Sequence, residues 1–250
     1  MPRIKQHKMN TEKLSIATIT WARDEKEETL LRTSLQQLAS FNLPVFITDG
    51  GSGASFLAFL QSFPHFRLLQ AKAKGAWAQA RNSLSEAHAS GSEFILYTEP
   101  DKYHFFNEFL STMLSKAETN DQTGVILASR SGSGFATFPA FQQMTETTIN
   151  NCCAEVIGKQ IDYTYGPFLL NRKLVPYLKL IQEDIGWGWR PFTFAIAKRL
   201  GYMVDAFIAD LPCPQDQQED NAAERIYRMK QLHQNIQGIV LSATVKLEEV

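Results

Sequence analysis

Apolar residues recur along the first hundred positions in two alternating rhythms. Short runs rich in β-branched and aromatic residues, at Leu14–Thr20, 45–48, 66–69 and 94–98, read as buried strands. Between them, apolar positions fall at helical spacing: Leu31, Leu35, Leu38 and Phe41, then Phe56, Leu57, Leu60 and Phe63, then Trp77, Ala80, Leu84 and Ala87. Asp24 with Glu27 makes a helix-start box, and Asn42-Leu43-Pro44 stops the first helix. Strand and helix alternate from 14 to 98, which predicts a parallel sheet with crossover helices. Right-handed crossovers then carry every strand end to one edge. The polar clusters at 21–24, 49–53, 72–75 and 99–101 all belong to that edge.

After Lys102 the rhythm is less regular. Phe105, Phe109, Met113 and Ala117 predict a helix, 125–128 a strand, 129–134 a Ser/Gly loop and 141–157 a helix. A β-like run over 163–170 contains Gly166-Pro167, and 173–181 reads as helical. The stretch 183–191 is a loop rich in acids, indoles and glycines, with Pro191 opening a helix over 192–200. A strand over 202–209, a polar stretch over 210–220 and a final helix follow. That helix places Ile226, Met229, Leu232, Ile236 and Ile239 on one face.

Composition narrows the class without changing this picture. The 250 residues are 44% hydrophobic and 20% charged, with a net charge of -1, so no global basic field points to nucleic acid. No apolar stretch approaches the roughly 18–20 residues of a membrane span. Three cysteines, at 152, 153 and 213, show neither metal nor disulfide spacing, so the expected location is reducing and cytoplasmic. Residues 1–13 are polar and basic and read as a flexible leader. The remainder, 14–250, reads as one domain with a first half, 14–102, and a second half, 103–250.

The candidate chemistry sits at the strand ends. The run 94–97 stops at Glu99-Pro100-Asp101, because proline ends the ladder and pushes Glu99 toward an extended backbone. Two carboxylates at the carboxyl end of a strand lie where open α/β sheets bind ligands, and they can hold a hard cation together with substrate phosphates. The plainer alternative is a solvated turn. Asp49-Gly50-Gly51-Ser52-Gly53 can cradle a phosphate or accept hydrogen bonds from a base or ribose, or it can simply be a tight turn. Arg81 can reach a diphosphate with its forked guanidinium, or stand as an exposed helix charge. Trp187 and Trp189, beside Glu183 and Asp184, offer flat faces for a sugar ring and a general base, or form part of a core.

In order and spacing, these features resemble the nucleotide-diphospho-sugar glycosyltransferases of the GT-A type, well over 14–102 and loosely over 160–210. The residues that carry the resemblance are Thr20-Trp21-Ala22-Arg23, Asp49-Gly50-Gly51-Ser52, Gly75 with Ala80-Arg81-Asn82, and Glu99-Pro100-Asp101. The resemblance implies a GT-A-like, Rossmann-related α/β fold with a mostly parallel central sheet and a C-terminal acceptor-side elaboration. It implies donor contacts from Thr20, Trp21, Arg23, Asp49, Gly75 and Arg81, and Mg2+ or Mn2+ held by Glu99 and Asp101. On the acceptor side it implies Glu183, Trp187, Trp189 and Arg190, with Asp184 as catalytic base. Relatives often carry Glu-Asp directly after the Trp, where this chain has Arg190-Pro191, and a Glu replaces the first Asp of the metal motif. These departures keep one rival in play, a non-catalytic nucleotide-sugar-binding protein; a second rival keeps the fold and changes the reaction, a sugar-phosphate nucleotidyltransferase. The latter lacks its usual Gly-rich loop after the first strand, and no dinucleotide-binding Gly-x-Gly-x-x-Gly follows any strand.

Overall fold

The computed structural model describes residues 7–249 apart from Lys72. In chain order the main elements are β1 (Leu14–Thr20), α1 (Glu25–Ala39), β2 (Val45–Asp49), α2 (Ala54–Gln61), β3 (Phe66–Gln70), α3 (Ala76–Ala89), β4 (Phe94–Tyr97), α4 (Leu110–Lys116), β5 (Thr123–Arg130), α5 (Ala140–Ile157), β6 (Phe168–Asn171), α6 (Trp189–Arg199), β7 (Met203–Ala209) and α7 (Ala222–Thr244). Two compact units contain them. One comprises Met1–Asn120 with Pro167–Val175, the other Asp121–Gly166 with Pro176–Val250.

The first unit is a sheet in the order β3-β2-β1-β4-β6. β1 pairs in parallel with both β2 and β4, and β2 with β3, in registers that bring Thr20 beside Asp49 and Asp49 beside Gln70. The alternation read from the sequence therefore forms a parallel sheet with its strand ends on one edge. Every residue of β1 is buried, as is every residue of β4, which is why neither run alternates polar with apolar. The α1 cap is a variant of the expected box: Asp24 accepts the Glu27 N–H at 2.8 Å, and Glu27 accepts the N–H of Arg23, one residue before the cap, at 2.9 Å.

Other expectations are corrected. Of the run 163–170 only 168–170 is strand, the start of β6, since Gly166 adopts φ 135° and Pro167 has no N–H for a ladder; β6 runs antiparallel to β4. The helix after Lys102 begins at Tyr103 and carries a π-turn over Phe105–Phe109 before α4. Of the leader, residues 1–6 lie outside the described residues. Residues 7–13 form a strand pair, His7–Lys8 with Glu118–Thr119, and a 3-10 turn, held by the Met9 N–H on Ala117 O at 3.1 Å.

In the second unit β5 and β7 run parallel, with Arg130 beside Ala209. The Ser/Gly loop expected at 129–134 is shorter: Ser129 and Arg130 belong to β5, and Gly132–Phe135 is a helical turn. α6 starts at Trp189, not 192. Pro191 is tolerated there because the first turn of a helix has no intrahelical partner for its N–H groups. α7 packs on α5, α6 and the Gly186–Gly188 turn. Its buried residues are Gly238, Ile239 and Ser242, whereas Ile226 and Met229 are exposed, so the single apolar face expected from the sequence is two faces. No helix among the described residues is long and apolar enough to cross a membrane.

The contact between α7 and that turn is glycine on glycine. A Cβ on Gly238 would collide with the Gly188 carbonyl, and one on Gly188 with the Gln234 carbonyl. Intrinsic propensity favours Gly238→Ala by about 1 kcal/mol in a helix interior. Crowding of the backbones opposes it by about 1–3 kcal/mol. We expect Gly238→Ala to lower the urea midpoint, and a raised midpoint would show that the two backbones are not in contact.

Candidate functional site

The carboxyl edge of the first unit's parallel strands is built on one carboxylate. Asp49, the last residue of β2, is buried and accepts four hydrogen bonds: Oδ2 from Thr20 Oγ1 at 2.9 Å and Ser52 Oγ at 2.6 Å, Oδ1 from the N–H groups of Gly51 at 2.8 Å and Ser52 at 2.7 Å. A carboxylate offers about four acceptor positions, and all four are used inside the protein. Asp49 therefore fixes the turn that follows it. Ser52 Oγ also accepts the Ala22 N–H at 2.8 Å, which ties the turn after β1 to the turn after β2.

Sequence reasoning missed the residue that clamps these two strand ends from behind. Gln79, buried on α3, donates through Nε2 to Thr20 O at 3.0 Å and Thr48 O at 3.1 Å. One turn later, Ser83 Oγ donates to Thr18 O at 2.7 Å and accepts the Thr48 N–H at 3.1 Å. The only signal for either was a polar residue amid the apolar positions Trp77, Ala80 and Leu84.

The solvent side of the edge is open. Trp21 follows β1 and is 53% exposed, and its Cβ side meets Gly50, where an added Cβ would lie 3.2 Å away. The Arg23 guanidinium stands 5.7 Å from the Trp21 ring and is paired with Glu27, which it holds below the ordinary carboxylate range. Gly75 caps α3 at φ 108°, a backbone that favours glycine. Arg81 lies on α3, exposed.

Glu99 and Asp101 are half-buried on the turn that follows β4. That turn is anchored at its base: the Thr98 N–H donates to Ala17 O at 3.2 Å, and Thr18 Oγ1 donates to Thr98 O at 2.8 Å. Among the described residues no group of three or more His, Cys, Asp or Glu could hold a metal ion. Two hard carboxylates on an anchored turn fit a Mg2+-type ion that takes its remaining oxygens from phosphate and water, and do not fit an all-protein metal site.

In the second unit the acceptor-side candidates separate. Trp189 is fully buried at the start of α6, so its indole is a core residue and is corrected from the ligand-stacking role expected for it. Trp187 is half-buried; its indole N–H donates to Tyr227 OH at 3.2 Å, and the Arg190 guanidinium lies 5.9 Å from its ring. Arg190 also donates to Thr164 O at 3.3 Å. Glu183 and Asp184 are exposed, and Asp184 Oδ1 accepts the Gly186 N–H at 2.9 Å.

The strongest electrostatic feature of this unit was not legible in advance. Arg130, at the end of β5, is buried with Asp162 and Glu146. Its Nε meets Asp162 Oδ2 at 2.6 Å, and Nη2 meets Asp162 Oδ1 at 3.0 Å, Glu146 Oε2 at 2.5 Å and Thr164 Oγ1 at 2.7 Å. The rings of Phe135 and Phe138 flank the guanidinium at 4.6 and 4.3 Å. Burial by itself would raise the Asp162 carboxyl, but Arg130 and the Thr164 hydrogen bonds bring it down to about 2.

The first unit's mostly parallel sheet, flanked by helices and carrying polar turns on its carboxyl edge, belongs to a fold of the GT-A type. Solved structures with that fold match nearly the whole chain. Glucosyl-3-phosphoglycerate synthase from Mycobacterium tuberculosis, in complex with Mn2+, UDP-glucose and phosphoglyceric acid, matches at a TM-score of 0.62 and 12% identity, over 93% of this chain and 80% of that one. The same enzyme with Mg2+ and UDP matches at 0.59 and 12% identity, over 93% and 80%. A mycobacterial protein matches at 0.63 and 14% identity, over 93% and 76%. No family model matches the sequence, and no curated protein matches it.

The Asp162 shift sets an acid limit. Its folded pKa lies below the unfolded one, so its stabilisation is complete above about pH 4 and is lost as pH falls toward 2, roughly 2 kcal/mol in all. Urea midpoints measured from pH 5 down to pH 2.5 should fall, and Asp162→Asn should flatten that fall. An equally steep fall in the variant would assign the protons to other groups.

Proposed function

We propose that the protein is a glycosyltransferase that takes a sugar from a nucleotide-diphosphate-sugar donor and passes it to an acceptor hydroxyl, with Mg2+ or Mn2+. The observation that carries this reading is the carboxyl edge of β1, β2 and β4. There an exposed indole, a rigid Gly50-Gly51 turn and two carboxylates occupy one side of a parallel sheet. The match of this fold to structures that hold UDP or UDP-glucose with a divalent ion supports it.

In this reading Trp21 and the turn after β1 receive the nucleoside, with Thr20 fixing the base of that turn. Asp49 acts through the backbone it organises: its four hydrogen bonds hold Gly51 and Ser52 in place before the ligand arrives, which lowers the ordering cost of binding. Arg23 and Arg81 supply positive charge toward the diphosphate, and Gly75 presents the N-terminus of α3 without a side chain over it. Glu99 and Asp101 hold the ion, which when bound offsets the charge that develops on the leaving diphosphate. In the second unit, Asp184 is the candidate base for the acceptor hydroxyl, with Glu183, Trp187 and Arg190 as its neighbours. We place the protein in the cytoplasm, with a soluble acceptor.

A second reading, nucleotide-sugar binding without turnover, is favoured by one observation: Asp184 is exposed and its Oδ1 already accepts the Gly186 N–H, so part of the carboxylate is engaged in its own turn. The two readings part on turnover.

The test is a thermal-shift screen against UDP, GDP, CDP and ADP with and without Mn2+, followed by donor hydrolysis. A ligand that binds only the folded state raises the melting temperature by mass action. We expect a metal-dependent rise with one diphosphate, abolished in Asp101→Asn at unchanged ligand-free melting temperature. Rises without hydrolysis or transfer select the binding protein, and no rise with any diphosphate sinks both readings. Asp49→Ala should be destabilised by about 3 kcal/mol, since it strands buried donors. A variant with parental stability would show that the carboxylate does not organise the turn.

A further inference from the structure

Helix α7 carries an apolar stripe that the second unit leaves uncovered. Ile226, Met229, His233, Ile236, Val240 and Ala243 follow one another at alternating intervals of three and four residues, the a/d seam of a coiled coil. Ile226 is 52% exposed, Met229 49% and Val240 59%; His233 and Ala243 are exposed and Ile236 half-buried. The seam is distinct from the face through Gly238, Ile239 and Ser242 that packs on the unit's own helices.

The first half of the seam is shallow and largely open. Ile226, Met229, Lys230 and His233, with Gln234, border a depression of about 320 Å3. Positions i, i+3, i+4 and i+7 are the four corners of the hole that receives a knob from a facing helix. The second half supplies a knob in Val240, the most exposed large apolar side chain of the helix. Hole and knob lie on the same stripe, so the stripe is complementary to itself when reversed. About a two-fold axis between residues 234 and 235, Met229 of each copy faces the partner's Val240, and His233 faces the partner's Ile236. Such an isologous contact closes with two copies.

Charge sets the direction. The charged side chains of α7 all lie in its first half, at Glu224, Arg225, Arg228 and Lys230, whereas 231–244 contain no Asp, Glu, Lys or Arg. Parallel pairing would place Lys230 of one copy near the partner's Arg225 and stack His233 on its own equivalent. Arg225 is paired with Asp220 and Arg228 with Glu224, and Lys230 adds a further cation. Antiparallel pairing lays each such half along the uncharged half of the other helix and toward its carbonyl end, which carries partial negative charge. We propose that α7 is the dimerisation helix, and that two copies of the chain associate through this seam in antiparallel register. The proposal stands on α7 alone and is independent of the sugar-transfer reading.

Sedimentation velocity on the full chain tests it. The mass should rise from that of one 28.3-kDa chain to twice that value between low and high micromolar concentration. Met229→Glu and Val240→Glu change exposed side chains, so both should keep the far-UV circular dichroism of the parent while weakening association at least about tenfold. A parent that stays monomeric throughout, or variants that associate like the parent, overturn the dimer. Direction is read from oxidative cross-linking against the background of the native cysteines. Met229→Cys mixed with Val240→Cys should form the mixed disulfide, whereas Met229→Cys alone should not couple to itself. Self-coupling of Met229→Cys overturns the antiparallel register.

Discussion

The first unit depends on what the Asp49 carboxylate does with its two oxygens. β1 and β2 are parallel neighbours, so nothing in their ladder controls the chain once it leaves the sheet. Asp49 supplies that control by accepting from Thr20 on one strand end and from Gly51 and Ser52 on the turn beyond the other. Ser52 passes the constraint on to Ala22. Gln79 closes it from the helix side by donating to carbonyls of both strands. Remove the carboxylate and four donors lose their acceptor, three of them buried (Thr20 Oγ1, the Ser52 N–H and Ser52 Oγ), so the edge is rigid because its alternatives are costly. A ligand arriving at this edge meets a surface already in position.

The second unit reaches rigidity by a different route, through buried charge. Arg130 sits between Asp162 and Glu146, and the Asp162 oxygens also accept from Asn150 and Thr164. Buried ion groups of this kind contribute little net stability compared with apolar side chains of the same volume, but they penalise any rearrangement that breaks them. Their effect is to hold the stretch from Asp162 to Thr164, which has no secondary structure of its own, against β5 and α5. The Phe135 and Phe138 rings complete the enclosure, and their faces suit a guanidinium better than an ammonium.

How much of this was legible in the sequence follows from where each constraint originates. The parallel strands, α1 with its cap and the acidic turn at 99–101 are written in local patterns: periodicity, an Asp/Glu box and a proline that ends a run. Trp189 was misread because an indole in a loop-like stretch looks the same whether it waits for a sugar ring or fills a core. Only the identity of its neighbours decides, and those come from distant segments. β6 was recognised as β-like but not as antiparallel, since strand direction depends on the path between strands. Arg130 shows the limit most clearly: a charged residue after an apolar run reads as a strand end reaching solvent, and its acids arrive from 16 and 32 residues away.

The glycines of the 183–191 stretch tie these points together. In the sequence they make a loop look mobile and ligand-facing. In the fold Gly188 lies against the backbone of Gln234 and Gly238 in α7, too close for any Cβ, while Gly186 sits at φ 50° against the Gln234 side-chain amide. That closeness explains why the inner face of α7 sets the small residues Gly238 and Ser242 beside Ile239, while Ile226, Met229 and Val240 lie on the opposite side. A helix that packs backbone to backbone buries little side-chain area per turn, so it cannot use Ile226, Met229 and Val240 on the face that touches its own chain. Retaining them in the open is unfavourable for a solitary chain and ordinary for one that meets a second surface. The same glycine contact that fixes α7 to its unit thus separates the face that stabilises the fold from the face left available for association.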